Sequence, residues 1–136
     1  MKNRVIKGII GGTAGTIMMT VLMYMAPIMG MPKMSPPEML AGMLGMSLSI
    51  GWMMHLMIGI IFGIIYATLF FKYMSKLKSK PFRGLVYGFI VFIVAQMAMA
   101  MAGKCMMCMP DKGMLMAMGS LMGHLFYGVT LSLFNE

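Results

Sequence analysis

Apolar residues in this chain come in four nearly unbroken runs, Val5 to Pro27, Leu48 to Phe71, Leu85 to Ala102 and Met114 to Phe134. At about 1.5 Å per residue, runs of this length cross a hydrocarbon layer of about 30 Å; the third is the shortest and extends back through Phe82 to Gly84. Lipid offers backbone N–H and C=O groups no partner, so such runs must be helices, and the ten-residue alternation of an outer-membrane barrel strand is absent. The pattern predicts an all-α, polytopic membrane four-helix bundle forming one transmembrane domain over residues 1–136. In the first loop of the outer side, Ser35-Pro36-Pro37-Glu38 has the makings of a helix start: Ser35 as cap, Pro36 at the first helical position and Glu38 closing a capping box. A short interfacial helix to about Gly45 is expected there, with Met39, Met43 and Met46 on one stripe.

The first helix repeats as the third. Placing Lys7-Gly8 on Arg83-Gly84 pairs Gly12 with Gly88, Met23 with Met99, Met25 with Met101 and Ala26 with Ala102. Gly51 to Gly59 likewise matches Ser120 to Gly128, pairing Met53 with Met122, His55 with His124 and Gly59 with Gly128. The chain reads as a duplicated helical hairpin, 1–72 and 80–136, related by a pseudo-two-fold axis along the membrane normal. This repeat also argues against reading the first helix as a cleaved signal peptide, despite its basic start and small residues. Gly8 and Gly12, Gly11 and Gly15, Gly59 and Gly63, and Gly84 and Gly88 are small-xxx-small pairs suited to close helix approach.

Composition agrees with this class: 136 residues, 60% hydrophobic and only 10% charged, with a mean hydropathy of +0.88. Eight basic residues flank what should be the inner side, Lys2, Arg4, Lys7, Lys72, Lys76, Lys78, Lys80 and Arg83, against Lys33, Lys104 and Lys112 opposite. The positive-inside rule then places both termini in the cytoplasm. The net charge of +8 is accounted for by topology and by attraction to anionic membrane lipid, with no nucleic acid as partner.

Methionine changes the picture. The chain has 25, and all but Met1 and Met74 lie in the outer halves of the helices or in the loops joining those halves. Packing alone would not sort a thioether by depth. Every span carries methionines four apart, Met19 and Met23, Met53 and Met57, Met97 and Met101, and Met114, Met118 and Met122, which puts the sulfurs one turn apart on one helix face. Thioethers are neutral, soft and need no deprotonation, so they suit Cu(I) or Ag(I); the plain alternative is gap-filling in apolar packing. The Met-xxx-Met spacing is similar to that of the eukaryotic high-affinity copper transporters, whose three-helix subunit this chain does not share. Cys105 and Cys108, with Met106, Met107 and Met109 around them, form a CxxC loop that either takes up Cu(I) as a dithiolate or closes as a disulfide.

His55 and His124 lie inside the spans, where ionisable groups usually face the bundle interior and act there. Each has small residues one turn away, Gly51 and Gly59 in one case and Ser120 and Gly128 in the other. Three roles stay open: metal ligation beside the methionines, bis-histidine ligation of haem b in an electron-transfer subunit, or a polar lock with each other or Gln96. Haem does not account for the methionines, whereas copper accounts for both residue types.

Catalysis is not expected. Glu38, Asp111 and Glu136 are the only carboxylates, all outside the spans, and no hydroxyl has a general base beside it. The inner halves lack soft ligands and no nucleotide-binding motif is present, which argues against a channel or pump.

The layout of Arg/Lys-Gly-xxx-Gly, Met39 to Gly45, Ile50 to His55 with Gly59, Arg83-Gly84 and His124 to Gly128 resembles an uncharacterised family of small four-helix bacterial inner-membrane proteins with paired His-xxx-Gly helices, a domain of unknown function. The resemblance implies the fold and the bacterial inner membrane, and carries no activity. Ordinary members are less rich in methionine, so the Met and Cys content here points to a specialisation. The expectation is a membrane protein binding Cu(I) or Ag(I) near the periplasmic face, through His55, His124, Met19, Met23, Met53, Met57, Met97, Met99, Met101, Met118, Met122, Cys105 and Cys108. Copper tolerance, buffering or delivery to a periplasmic copper protein or larger membrane enzyme would be its role; a structural accessory subunit is the remaining alternative.

Overall fold

The computed structural model describes residues 2–74, 76–77, 79–105, 108 and 110–135; Met106, Met107 and Met109 of the CxxC loop, Lys78 of the basic link and Glu136 lie outside the described residues. The described residues form helices α1 (Lys2–Met25), α2 (Pro36–Leu44), α3 (Leu48–Ile65), α4 (Phe71–Met74), α5 (Lys80–Met101) and α6 (Gly113–Phe134). A π turn, Tyr66–Phe70, joins α3 to α4. Four stretches are long and apolar enough to cross a membrane: Lys2–Met29, Leu48–Tyr73, Lys80–Met101 and Gly113–Phe134. The protein is therefore a multi-pass membrane protein.

Helix α2 begins as its sequence dictates. The Ser35 Oγ accepts a hydrogen bond from the Glu38 backbone N–H at 3.4 Å, and the helix stops at Gly45, whose φ of 64° is left-handed. Such a stop favours glycine because a Cβ would be strained there.

Helices α1 and α6 form the centre of the bundle. They pack on each other, while α3 lies against α1 and α5 against α6. Between lipid-exposed helices there is no hydrophobic drive to associate, so close approach must come from small residues. The contacts bear this out: a Cβ added to Gly12 would lie 2.6 Å from the Gly59 carbonyl oxygen, and one added to Gly8 2.8 Å from that of Gly63. In the second pair, Gly84 and Gly88 abut Gly128 and the His124 carbonyl in the same way.

The register of the two pairs differs. Gly63 rests on Gly8 and Gly12, and Gly128 rests on Gly84 and Gly88, so Gly63 occupies the place of Gly128. The motif alignment expected from sequence instead pairs Gly128 with Gly59. Packing in the second hairpin is thus displaced by one helical turn, and His124 takes the position held in the first hairpin by Gly59. A second contact agrees: Phe92 stands edge-on to His124 at 5.9 Å, where its counterpart Thr16 meets Gly59.

Helices α3 and α5 communicate through tyrosines. Tyr66 and Tyr87 have ring centroids 4.8 Å apart, the Tyr87 hydroxyl donates to the Phe62 carbonyl at 2.7 Å, and the Tyr127 hydroxyl of α6 donates to the Gly59 carbonyl at 2.6 Å. At one end of the bundle Arg4 lies over the Phe71 ring and the Ser132 hydroxyl donates to the Lys80 carbonyl. At the other end Tyr24 stacks on Trp52 and hydrogen-bonds Ser35, which fastens α2 across the helix tops.

Candidate functional site

Between the tyrosine bridges and α2 lies a cavity of about 340 Å³. α1 contributes Thr16, Met19 and Met23, α3 contributes His55 and Gly59, and α6 contributes Ser120, His124 and Tyr127. Its other walls include Met39 and Met43 of α2, Met34 of the preceding loop, and Gln96 and Met99 of α5. Apart from the two histidines and a few hydroxyl and amide groups, the donor atoms around it are thioethers.

Hydrogen bonding fixes both imidazoles. His124 Nδ1 lies 2.7 Å from the Ser120 carbonyl oxygen; a carbonyl only accepts, so Nδ1 holds the proton and Nε2 the lone pair. For His55 the chain of donors is longer. The Thr20 hydroxyl gives its only hydrogen to the Thr16 carbonyl at 2.7 Å, so Thr20 Oγ1, 3.1 Å from His55 Nε2, accepts from that nitrogen. This assigns the proton to His55 Nε2 and the lone pair to Nδ1. Neither lone-pair nitrogen has a hydrogen-bond partner among the described residues. Nor is either sealed in packing, since Asn135 Oδ1 is the one side-chain polar atom among those residues that is both enclosed and unpaired. An imidazole whose N–H is held by a carbonyl or hydroxyl and whose other nitrogen is open is the arrangement used for metal ligation, because it fixes tautomer and ring orientation.

Of the residues singled out from sequence, His55, His124, Met19, Met23 and Met99 come together in this cavity. Met19 and Met23 are 6% and 4% exposed and belong to the core. Met53, Met57, Met97, Met101, Met118 and Met122 lie on the exposed outer surface of the bundle, Met101 at 87% exposure. Met-xxx-Met spacing places two sulfurs on one face of a helix but does not specify which face, and among the four spans only α1 turns that face inward. Cys105 and Cys108 are joined by a disulfide, so in this state neither sulfur is a thiolate ligand. Among the described residues no three His, Cys, Asp or Glu side chains gather in one place; any metal held here would depend on thioethers.

Sequence reasoning missed Met34, 3% exposed, and the positioning role of Thr20. The Thr16–Thr20 spacing in an apolar helix was the available signal, since each hydroxyl bonds back four residues.

Fold and cavity together define a multi-pass α-helical membrane protein with two oriented imidazoles facing a methionine-lined space. The chain belongs to the family of unknown function DUF6789, whose model matches residues 2–136. No curated protein matches it, and no solved structure does.

Proposed function

We propose that this protein binds Cu(I), or its analogue Ag(I), in the cavity between α3 and α5. His55 Nδ1 and His124 Nε2 act as nitrogen donors and Met19, Met23 and Met99 as thioether donors. The observation that carries this reading is the pair of open imidazole lone pairs sharing one cavity with methionine sulfur. Neutral nitrogen and thioether ligands suit a soft monovalent ion in an apolar site, because no ligand charge has to be buried with it. A bis-histidine haem is less well served, since His55 commits its Nε2 to Thr20.

The basic residues at the start of the chain and in the link before α5 support a cytoplasmic position for both ends, in a bacterial inner membrane, with the methionine-rich end facing the periplasm. The role is capture of copper for tolerance, buffering, or delivery to a periplasmic copper protein or larger membrane enzyme. Reduction of Cys105–Cys108 would add two thiolate ligands near that face.

The test is metal content and visible absorption of detergent-purified protein from copper-supplemented cells, beside H55A/H124A. Stoichiometric copper without a Soret band, lost or weakened in the variant, is expected. Absence of copper under reducing conditions overturns the proposal, and a Soret band would replace copper by haem.

A further inference from the structure

Two glycines of α6, one turn apart, are occupied in an unusual way. A Cβ on Gly119 would lie 3.0 Å from Met34 Sδ and 3.8 Å from Met31 Sδ, so two thioether sulfurs converge on one point above that glycine. A Cβ on Gly123 would lie 2.8 Å from Met23 Cε and 3.2 Å from Met19 Cγ. At Gly8, Gly12, Gly63, Gly84, Gly88 and Gly128 glycine admits the backbone of a neighbouring helix; here it admits methionine side chains. The result is a file of four methionines along one face of α6, running from the loop before α2 to the residue beside His124. Its inner members Met34, Met23 and Met19 line the cavity.

The loop that carries the first two sulfurs is held in place. Gly30 takes a left-handed φ of 80°, the Met31 N–H donates to the Ala26 carbonyl at 3.2 Å, and Ser35 is tied to Tyr24 at 3.1 Å. Met34 is buried, and flexible thioethers fixed in this way are already ordered before a ligand arrives, which lowers the entropic cost of binding.

We infer that Met31 and Met34, converging above Gly119 at one wall of the cavity, form a second, all-thioether subsite for a soft monovalent cation, which loads the histidine site through Met23 and Met19. This rests on the soft-metal reading of the cavity and adds a second ion to it. The ion enters and leaves without a change of oxidation state or loss of a ligand proton, because thioethers carry none.

The experiment is titration of the full-length protein in detergent with Ag(I) in chloride-free buffer, followed by calorimetry. Wild-type, M31L/M34L and H55A/H124A proteins are compared; leucine keeps the apolar volume and removes the sulfur. The wild-type protein is expected to take up two equivalents and each double variant one. Two equivalents retained by M31L/M34L would overturn the loading site. A single wild-type equivalent, abolished by H55A/H124A alone, would overturn it while leaving the cavity proposal standing. A single equivalent indifferent to the histidines and lost in M31L/M34L would do the reverse, and no uptake at all would remove both. As a second variant that keeps every sulfur, G119A sets a methyl group against Met34 Sδ and is expected to weaken one equivalent by about tenfold; an unchanged titration would count against the site.

Discussion

The two helical hairpins, α1 with α3 and α5 with α6, are alike in sequence but not in the way they close. Each is closed by glycines laid against glycines, yet the second is displaced by a turn, so that Gly128 matches Gly63 rather than Gly59. The displacement separates the histidines in kind. His55 is oriented by a side chain of the neighbouring helix, Thr20, whereas His124 is oriented by a carbonyl of its own helix, that of Ser120. The cross-links between hairpins are one-sided as well, because Gly11 and Ile58 stand where the second hairpin has Tyr87 and Tyr127: the second supplies the hydroxyls of those tyrosines, and the first supplies the accepting carbonyls of Phe62 and Gly59. Matching His-xxx-Gly motifs therefore do not oblige matching surroundings.

This contrast can be broken most severely at the glycines. Gly128→Ala places a methyl group against the backbone of Gly84 and Gly88, where no side chain can yield; overpacking of this kind should cost about 3 kcal/mol or more. Gly59→Ala meets the Thr16 hydroxyl instead, so Thr16→Ala should restore most of its lost stability while doing nothing for Gly128→Ala. Thermal unfolding in detergent, with size-exclusion profiles, reads both. Equal rescue of the two would mean that the hairpins share one register.

The next effect distinguishes the histidines. Thr20→Val removes the acceptor of His55 Nε2–H and is expected to weaken Ag(I) binding at the histidine site by about tenfold, the usual loss when a ligand's orienting partner is removed. Ser120→Ala leaves the carbonyl that holds His124 in place, and its affinity should stay within about twofold of wild type. Competition titrations on the two single variants decide this, and equal losses would contradict the assigned proton positions.

The smallest effect concerns the cross-links. Tyr127→Phe and Tyr87→Phe each remove one hydroxyl-to-carbonyl bond between hairpins, at about 1 kcal/mol apiece. Chemical or thermal unfolding of each variant measures it; a neutral result at both would show that the rings alone hold the hairpins together.

Much of the architecture was legible in the chain. The four spans follow from run length, and α2 follows from Ser35-Pro36-Pro37-Glu38 and Gly45, because caps and stops depend on local chemistry. The histidines were legible as interior groups because an ionisable side chain in lipid has nowhere else to go. The methionines were not. The spacing of Met53 and Met57 is the same as that of Met19 and Met23, but in α3 the inward face is taken by Gly51, His55, Gly59 and Gly63, whereas in α1 Met19 and Met23 are buried with the glycines. Met34 has no periodic partner to mark it, and the four-residue spacing of Gly119 and Gly123 does not tell a glycine that admits a thioether from one that admits a helix backbone.

The central claim is that nitrogen and sulfur in this cavity hold one soft metal ion together. X-ray absorption at the copper K-edge of the copper-loaded protein tests it most directly. Imidazole nitrogen and thioether sulfur are expected in the same coordination shell, with the nitrogen contribution lost in H55A/H124A. A shell of sulfur alone in the wild-type protein would contradict it, leaving the two oriented histidines without a part in metal binding.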